Sequence, residues 1–202
     1  MAVAQGPLVI GVDSSTQSTK ALVVDAATGE VVATGQAAHP VTAEHQIDPE
    51  QWWQALLGAL EQCGPAAGQA AAISVAGQQH GLVTLDAAGR PVRPALQWND
   101  VRSAEQCARL TERLGGPETW ARRVGSVPPP SFTAPKWLWL SETEPHSAAA
   151  TAAVRLPHDY LTGRLTGEAT TDRGDASGTG WWAGDQAGYD AEILDLIGLD
   201  PA

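Results

Sequence analysis

The chain opens on two apolar runs divided by a polar one. Leu8-Val9-Ile10-Gly11-Val12 ends in the carboxylate of Asp13, residues 14–20 carry hydroxyls and Lys20, and residues 21–25 are apolar again. Short runs rich in β-branched residues predict strands at 8–13 and 21–25 and, after the turn Ala26-Ala27-Thr28-Gly29, at 30–35. Connections this short make neighbouring strands antiparallel. The period then changes. Asp48 is a good N-cap, Pro49 suits the first helical position and Gln51 the capping-box position; Trp53, Leu56, Leu57, Leu60 and Cys63 recur at helical spacing until Gly64-Pro65. The apolar run at 70–76 predicts a buried strand reached by that helix. Further strands are expected at 82–85 and 91–98, around the turn Asp86-Ala87-Ala88-Gly89. Helices are expected at 103–114, 133–141, 157–165 and 191–197, and a Gly-rich loop at 170–179. Antiparallel strands followed by a helix feeding another strand point to an α/β layer architecture.

Charge narrows the partners. Lys and Arg number 12 against 23 Asp and Glu, a net charge of −11, which argues against nucleic acid and against an anionic membrane. No apolar stretch is long enough to span a bilayer, and residues 1–7 lack the pattern of a secretory leader. Cys63 and Cys107 lie far apart with no companion motif, as expected of core thiols in a reducing compartment, so a cytoplasmic location is the default. Oligomeric state leaves no signal in the sequence.

Candidate chemistry sits at strand ends. Asp13 can hold a hydrated metal ion, Thr16, Ser18 and Thr19 can donate hydrogen bonds, and Lys20 adds charge, a set suited to the polyphosphate tail of a nucleotide. The same residues also suit a polar β-turn bonding its own backbone. There is no P-loop. In Ala76-Gly77-Gln78-Gln79-His80-Gly81, after a strand expected to be parallel, Gly77 and Gly81 would let the backbone turn sharply, and Gln79 and His80 suit sugar hydroxyls; the alternative is a histidine satisfied within a turn. Asp100 and Arg102 could bind substrate but read better as an N-cap and a first-turn residue, and His158 could be a ligand but reads better as a structural residue opening a helix. The five histidines are scattered without a His-x-x-x-His, so no metal-ligand cluster is visible.

These segments occur in an order that resembles the amino-terminal part of the FGGY carbohydrate kinases, on the branch that phosphorylates D-xylulose. The resemblance is carried by Gly11-Val12-Asp13, Thr16 and Lys20, by Asp48-Pro49-Glu50-Gln51-Trp52-Trp53, and by Gly77-Gln78-Gln79-His80-Gly81. It continues in Trp98-Asn99-Asp100, Phe132-Thr133-Ala134-Pro135-Lys136, Asp159-Tyr160-Leu161 and Asp172 through Thr179. It implies an actin-like, ribonuclease-H-like domain with a mixed sheet, and ATP with Mg2+ and D-xylulose in a cleft between two such domains. By resemblance Asp13 lies on the magnesium and phosphate side, Thr16, Ser18 and Lys20 face nucleotide phosphates, and Gln79 and His80 contact the sugar. Glycerol kinases carry Arg-Glu at that last pair, so Gln-His points to a ketopentose. Two departures stand out. Ser15 occupies a position where the family usually has glycine, which matters if the turn needs a positive φ. The family's general base also belongs to a later Gly-rich segment ending Asp-Asn, which is not among these 202 residues. The expectation is therefore an incomplete kinase: residues 1–202 as an amino-terminal domain, inactive alone. Other FGGY sugar or polyol kinases (ribulose, gluconate, glycerol) and a non-catalytic sugar-binding module are the alternatives.

Overall fold

The computed structural model describes residues 6–40, 44–186 and 188–200. Residues 1–5 of the 1–7 stretch read as lacking a leader pattern, and the outer limits of the 1–202 domain, lie outside the described residues. Strands β1 (Leu8–Ser14), β2 (Ser18–Asp25) and β3 (Val31–Ala38) form the expected antiparallel meander. The Asp25 carboxylate closes its second turn by accepting from the backbone N–H groups of Ala27 and Thr28.

The two-residue strand β4 (Gln46–Ile47) leads into α1 (Pro49–Gln62), where the Asp48 side chain accepts from the Glu50 N–H. After a 3-10 segment (Gly64–Gln69), β5 (Ala70–Gly77) pairs parallel with β1, giving the strand order β3-β2-β1-β5. This is the mixed sheet of an actin-like, ribonuclease-H-like domain. Next come β6 (Val83–Leu85) and β7 (Ala95–Leu96), then α2 (Ala104–Arg113), α3 (Pro117–Val124), α4 (Thr133–Thr143) and α5 (Pro145–Ala150). The chain continues through β8 (Ala153–Arg155), α6 (Pro157–Thr166), α7 (Arg173–Ala176), a 3-10 turn (Ser177–Thr179), β9 (Trp182–Ala183), β10 (Gly188–Tyr189) and α8 (Ala191–Ile197). One core packs Ile10, Val12 and Val23 of the sheet against Trp52 and Leu56 of α1 and Leu161 of α6. A second gathers Leu110, Trp120, Leu140 and Ile193 from the later helices. No helix among the described residues is long and apolar enough to cross a membrane.

Several local expectations are corrected. The buried face of α1 is Trp52, Ala55, Leu56 and Ala59, while Leu57 is exposed. Small residues bring the helix onto the sheet: a Cβ on Gly35 would lie 1.9 Å from the Ala59 carbonyl oxygen. Strand β5 is not buried, since residues 71–74 are exposed; it is an edge of the described sheet, and its apolar run is mostly alanine. The strand expected at 91–98 shrinks to Ala95–Leu96, and the loop expected at 170–179 holds α7 and the 3-10 turn. Helix α3, absent from the expected elements, is begun by Pro117 and ended by the left-handed Gly125, ordinary start and stop signals.

Candidate functional site

The sheet register decides which loops meet. Asp13 pairs with Ala76 and Ser14 with Gly77 in the parallel β1–β5 ladder, so the turns after both strands leave the same edge. Two hydrogen bonds then tie three segments together. Gln78 Nε2 donates to the Ser15 carbonyl at 3.2 Å, and Trp98 Nε1, on the segment after β7, donates to the Thr16 hydroxyl at 2.9 Å.

Asp13 and Lys20 are cross-strand partners with exposed side chains. Ser15 closes the turn through both its N–H and its hydroxyl, donating to the Ser18 carbonyl at 3.0 and 3.1 Å. It does so without a positive φ: among the described non-glycine residues only His45 and His80 have one. A side chain in place of the family's glycine is therefore tolerated. Ser18 differs from its expected environment, because its side chain is buried and its hydroxyl accepts from Gln36 Nε2 at 3.1 Å. Beneath the turn, Ser14, Thr19 and His39 form a buried polar chain, with hydroxyl–hydroxyl and hydroxyl–imidazole distances of 3.0 and 2.8 Å. Burial holds the His39 pKa below its ordinary value, which favours the neutral ring.

At the second turn, the left-handed residue is His80 (φ 61°) and not either flanking glycine. Gly77 and Gly81 are needed for close packing instead: a Cβ would lie 2.8 Å from the His158 nitrogen in one case and 2.5 Å from Pro157 Cγ in the other. Gln79 is exposed. The His80 ring stacks on Phe132 with centroids 4.3 Å apart, and its Nδ1 lies 3.0 Å from the Gly178 carbonyl oxygen. A carbonyl can only accept, so Nδ1 carries the proton, and the neutral ring keeps a lone pair on Nε2. Burial first, and the Lys136 charge after it, hold the His80 pKa down, which favours that neutral form.

Lys136 is fully buried and donates to the carbonyls of His80 (2.8 Å) and Gln97 (2.6 Å), locking the histidine turn to the segment carrying Trp98. Burial lowers its pKa to about 7, against the pull of Asp100. Asp100 is no helix cap: its carboxylate accepts from Arg102 N–H and Nε, and Ser103 takes the N-cap position of α2. Sequence reading assigned no role to Gln78, Trp98, Phe132 or Lys136. All four stand in the quoted motifs, the signal that could have marked them.

The fold also gathers ligating groups that spacing did not show. His158 opens α6 as expected with Asp159 beside it, and Asp175 converges on the pair from α7.

The FGGY family of carbohydrate kinases, N-terminal domain, matches residues 8–202. The xylulose kinase of Streptomyces rubiginosus is 68% identical over 204 residues, covering 100% of this chain and 42% of that protein. The xylulose kinase of Escherichia coli is 41% identical over 182 residues, covering 85% of this chain and 36% of that protein. The chain therefore spans about two fifths of the length of such relatives. Among solved structures, a xylulose kinase from Bifidobacterium adolescentis superposes with TM-score 0.86 at 38% identity, covering 95% of this chain and 43% of that one. Another from Rhodospirillum rubrum superposes with TM-score 0.88 at 28% identity, covering 96% and 41%.

Proposed function

The chain belongs to the FGGY family of carbohydrate kinases, and on that premise we propose that it supplies one wall of a cleft in which ATP phosphorylates D-xylulose to D-xylulose 5-phosphate. The observation that carries this reading is the junction of the Asp13 turn with the Gln79-His80 turn, through Gln78 to Ser15 and Trp98 to Thr16. His80 Nε2 accepts from a sugar hydroxyl, held in place by Phe132 and Gly178, and Gln79 adds a second polar contact. Thr16 and Lys20 face the phosphates. Ser18 acts through the carbonyl that shapes the turn, its hydroxyl being engaged by Gln36.

Asp13 fits a hydrated Mg2+: it is a single exposed carboxylate at a strand end, and Mg2+ usually keeps its waters and shares one or two carboxylates with phosphate oxygens. When bound, the ion neutralises phosphate charge in the transfer. This chain's own contribution is positioning, which dominates such reactions. Residues 1–202 are proposed as the amino-terminal domain, with the acceptor of the sugar proton in the remaining length of the relatives. The setting proposed is the cytoplasm, in keeping with two free buried cysteines.

Calorimetry with D-xylulose, D-ribulose, gluconate and glycerol tests the assignment. D-xylulose should bind best, and His80→Ala should weaken it. Preference for another ligand moves the chain to another branch of the family, and no binding at all favours a module without this substrate. Sugar-dependent ADP release from these 202 residues alone would overturn the placement of the proton acceptor.

A further inference from the structure

Away from the two turns, three ligating side chains, His158, Asp159 and Asp175, converge where the start of α6 meets α7, with Asp172 at their edge beside His158. His158 Nδ1 donates a hydrogen bond to Asp159 Oδ1 at 3.0 Å, giving up that proton when it ligates an ion, and lies 3.7 Å from Asp175 Oδ2 and 3.7 Å from Asp172 Oδ2. One ligand atom from each of His158, Asp159 and Asp175 falls within 4.8 Å of the other two. The Asp175 side chain is 9% exposed and its Oδ2 is buried without a hydrogen-bond partner; the imidazole nitrogen beside it is beyond hydrogen-bond reach. A buried carboxylate oxygen left this way is costly unless a proton or a cation meets it; burial raises the Asp175 pKa to about 7, and a cation would take the place of that proton. Among the described residues no lysine or arginine pairs with Asp159, Asp172 or Asp175, so three carboxylates face one imidazole.

We propose that His158, Asp159 and Asp175, with Asp172 at the mouth, bind a first-row divalent cation of the zinc type. The distances fit. An ion about 2.0–2.2 Å from each tetrahedral ligand sets the ligands roughly 3.3–3.6 Å apart; the three separations from His158 Nδ1 straddle that value, and the Asp159 and Asp175 oxygens, within 4.8 Å of each other, would draw in on the ion. The donor set fits as well: an imidazole with carboxylates suits zinc or manganese, whereas magnesium and calcium take oxygen alone. Asp172 is prepared for both duties. Its Oδ1 caps α7 by accepting from the Asp175 N–H at 2.9 Å, which leaves Oδ2 for the ion, and its side chain is 58% exposed and offers a way in.

The site also bears on the sugar turn, a consequence that rests on the sugar reading although the ion binding does not. His158 packs against Gly77, and α7 runs directly into the 3-10 turn whose Gly178 carbonyl holds His80. An ion joining α6 to α7 fixes the carbonyl that orients the histidine.

Cobalt(II) is the probe. Chelator-stripped, desalted chain should take up one Co2+ and show the intense visible bands of a four-coordinate nitrogen and oxygen site. Zn2+ should displace the cobalt and raise the thermal unfolding midpoint. Asp175→Asn and His158→Gln should each weaken uptake by roughly tenfold or more. Weak six-coordinate spectra, a thiolate-to-cobalt band pointing to the cysteines, or equal uptake by both variants would overturn the proposal. If either variant fails to fold, Mn2+ added to the unaltered chain decides the matter by NMR: the His158 ring signals should broaden before those of His39 and His80, and uniform broadening refutes the site. Sugar affinity is measured separately, so failure of the metal leaves the sugar assignment standing, and the reverse.

Discussion

Gly178→Ala places a single methyl group where the fold has no room for it. The Gly178 backbone does not need glycine, since its φ is not positive, and by itself alanine there would stabilise by about 0.4–1 kcal/mol through the unfolded chain. The new Cβ, however, would stand 2.2 Å from His80 Nδ1 and 2.5 Å from Cε1. The ring has to swing away, losing its bond to the Gly178 carbonyl, worth about 0.5–1.5 kcal/mol, and its stack on Phe132, worth a similar amount. After the chain-entropy gain, a net loss of roughly 0.5–2 kcal/mol is expected. The same substitution in a His80→Ala background meets no ring and should be neutral or mildly stabilising. Urea unfolding of the chain, both single variants and the double variant forms a closed cycle with an expected coupling of about 1–3 kcal/mol. D-xylulose affinity should fall alike in Gly178→Ala and His80→Ala, and no further in the double variant. Additive stability costs, or wild-type sugar binding by Gly178→Ala, would refute the claim that the glycine exists to seat the histidine.

Gly35→Ala should destabilise by about 1–3 kcal/mol or more, because its Cβ meets the rigid backbone of α1; Gly11→Ala, with nothing within 4 Å, should change urea stability by less than about 0.5 kcal/mol. The His39 ring should titrate by NMR with a midpoint below 6.5, because burial disfavours its charged form. The unfolded chain then binds more protons as pH falls through 6.5, so His39 makes stability decline on acidification, and His39→Leu should flatten that part of the stability profile. Lys136 keeps its proton up to about 10.5 when unfolded and releases it near 7 when folded, so it makes stability rise with pH across that window. Lys136→Met should remove the rise, at most about 1.4 kcal/mol per pH unit, whereas parallel urea stability profiles from pH 7 to 10 would mean that the two carbonyls and Asp100 keep the ammonium charged.

Local chemistry sufficed for much of this protein. The hairpin signals at residues 8–35, the Asp48-Pro49 helix start and the helices at 133, 157 and 191 are governed by near neighbours, so they stand in the sequence and recur in the fold. The order of the short motifs was enough to mark the family. Tertiary structure decided what depends on residues far apart along the chain. Only the β1–β5 register brings the Asp13 and His80 turns to one edge, and only the packing of α6 against Gly77 and Gly81, and of the His80 ring against Gly178, explains why those three positions lack side chains. Burial was the least legible property. A run of alanines reads as apolar whether or not anything covers it, so β5 looked internal, whereas Lys136 looks like a surface residue and is one of the most buried side chains. The physical reason is that periodicity records which positions share a face, while what lies against that face is set by segments tens of residues away.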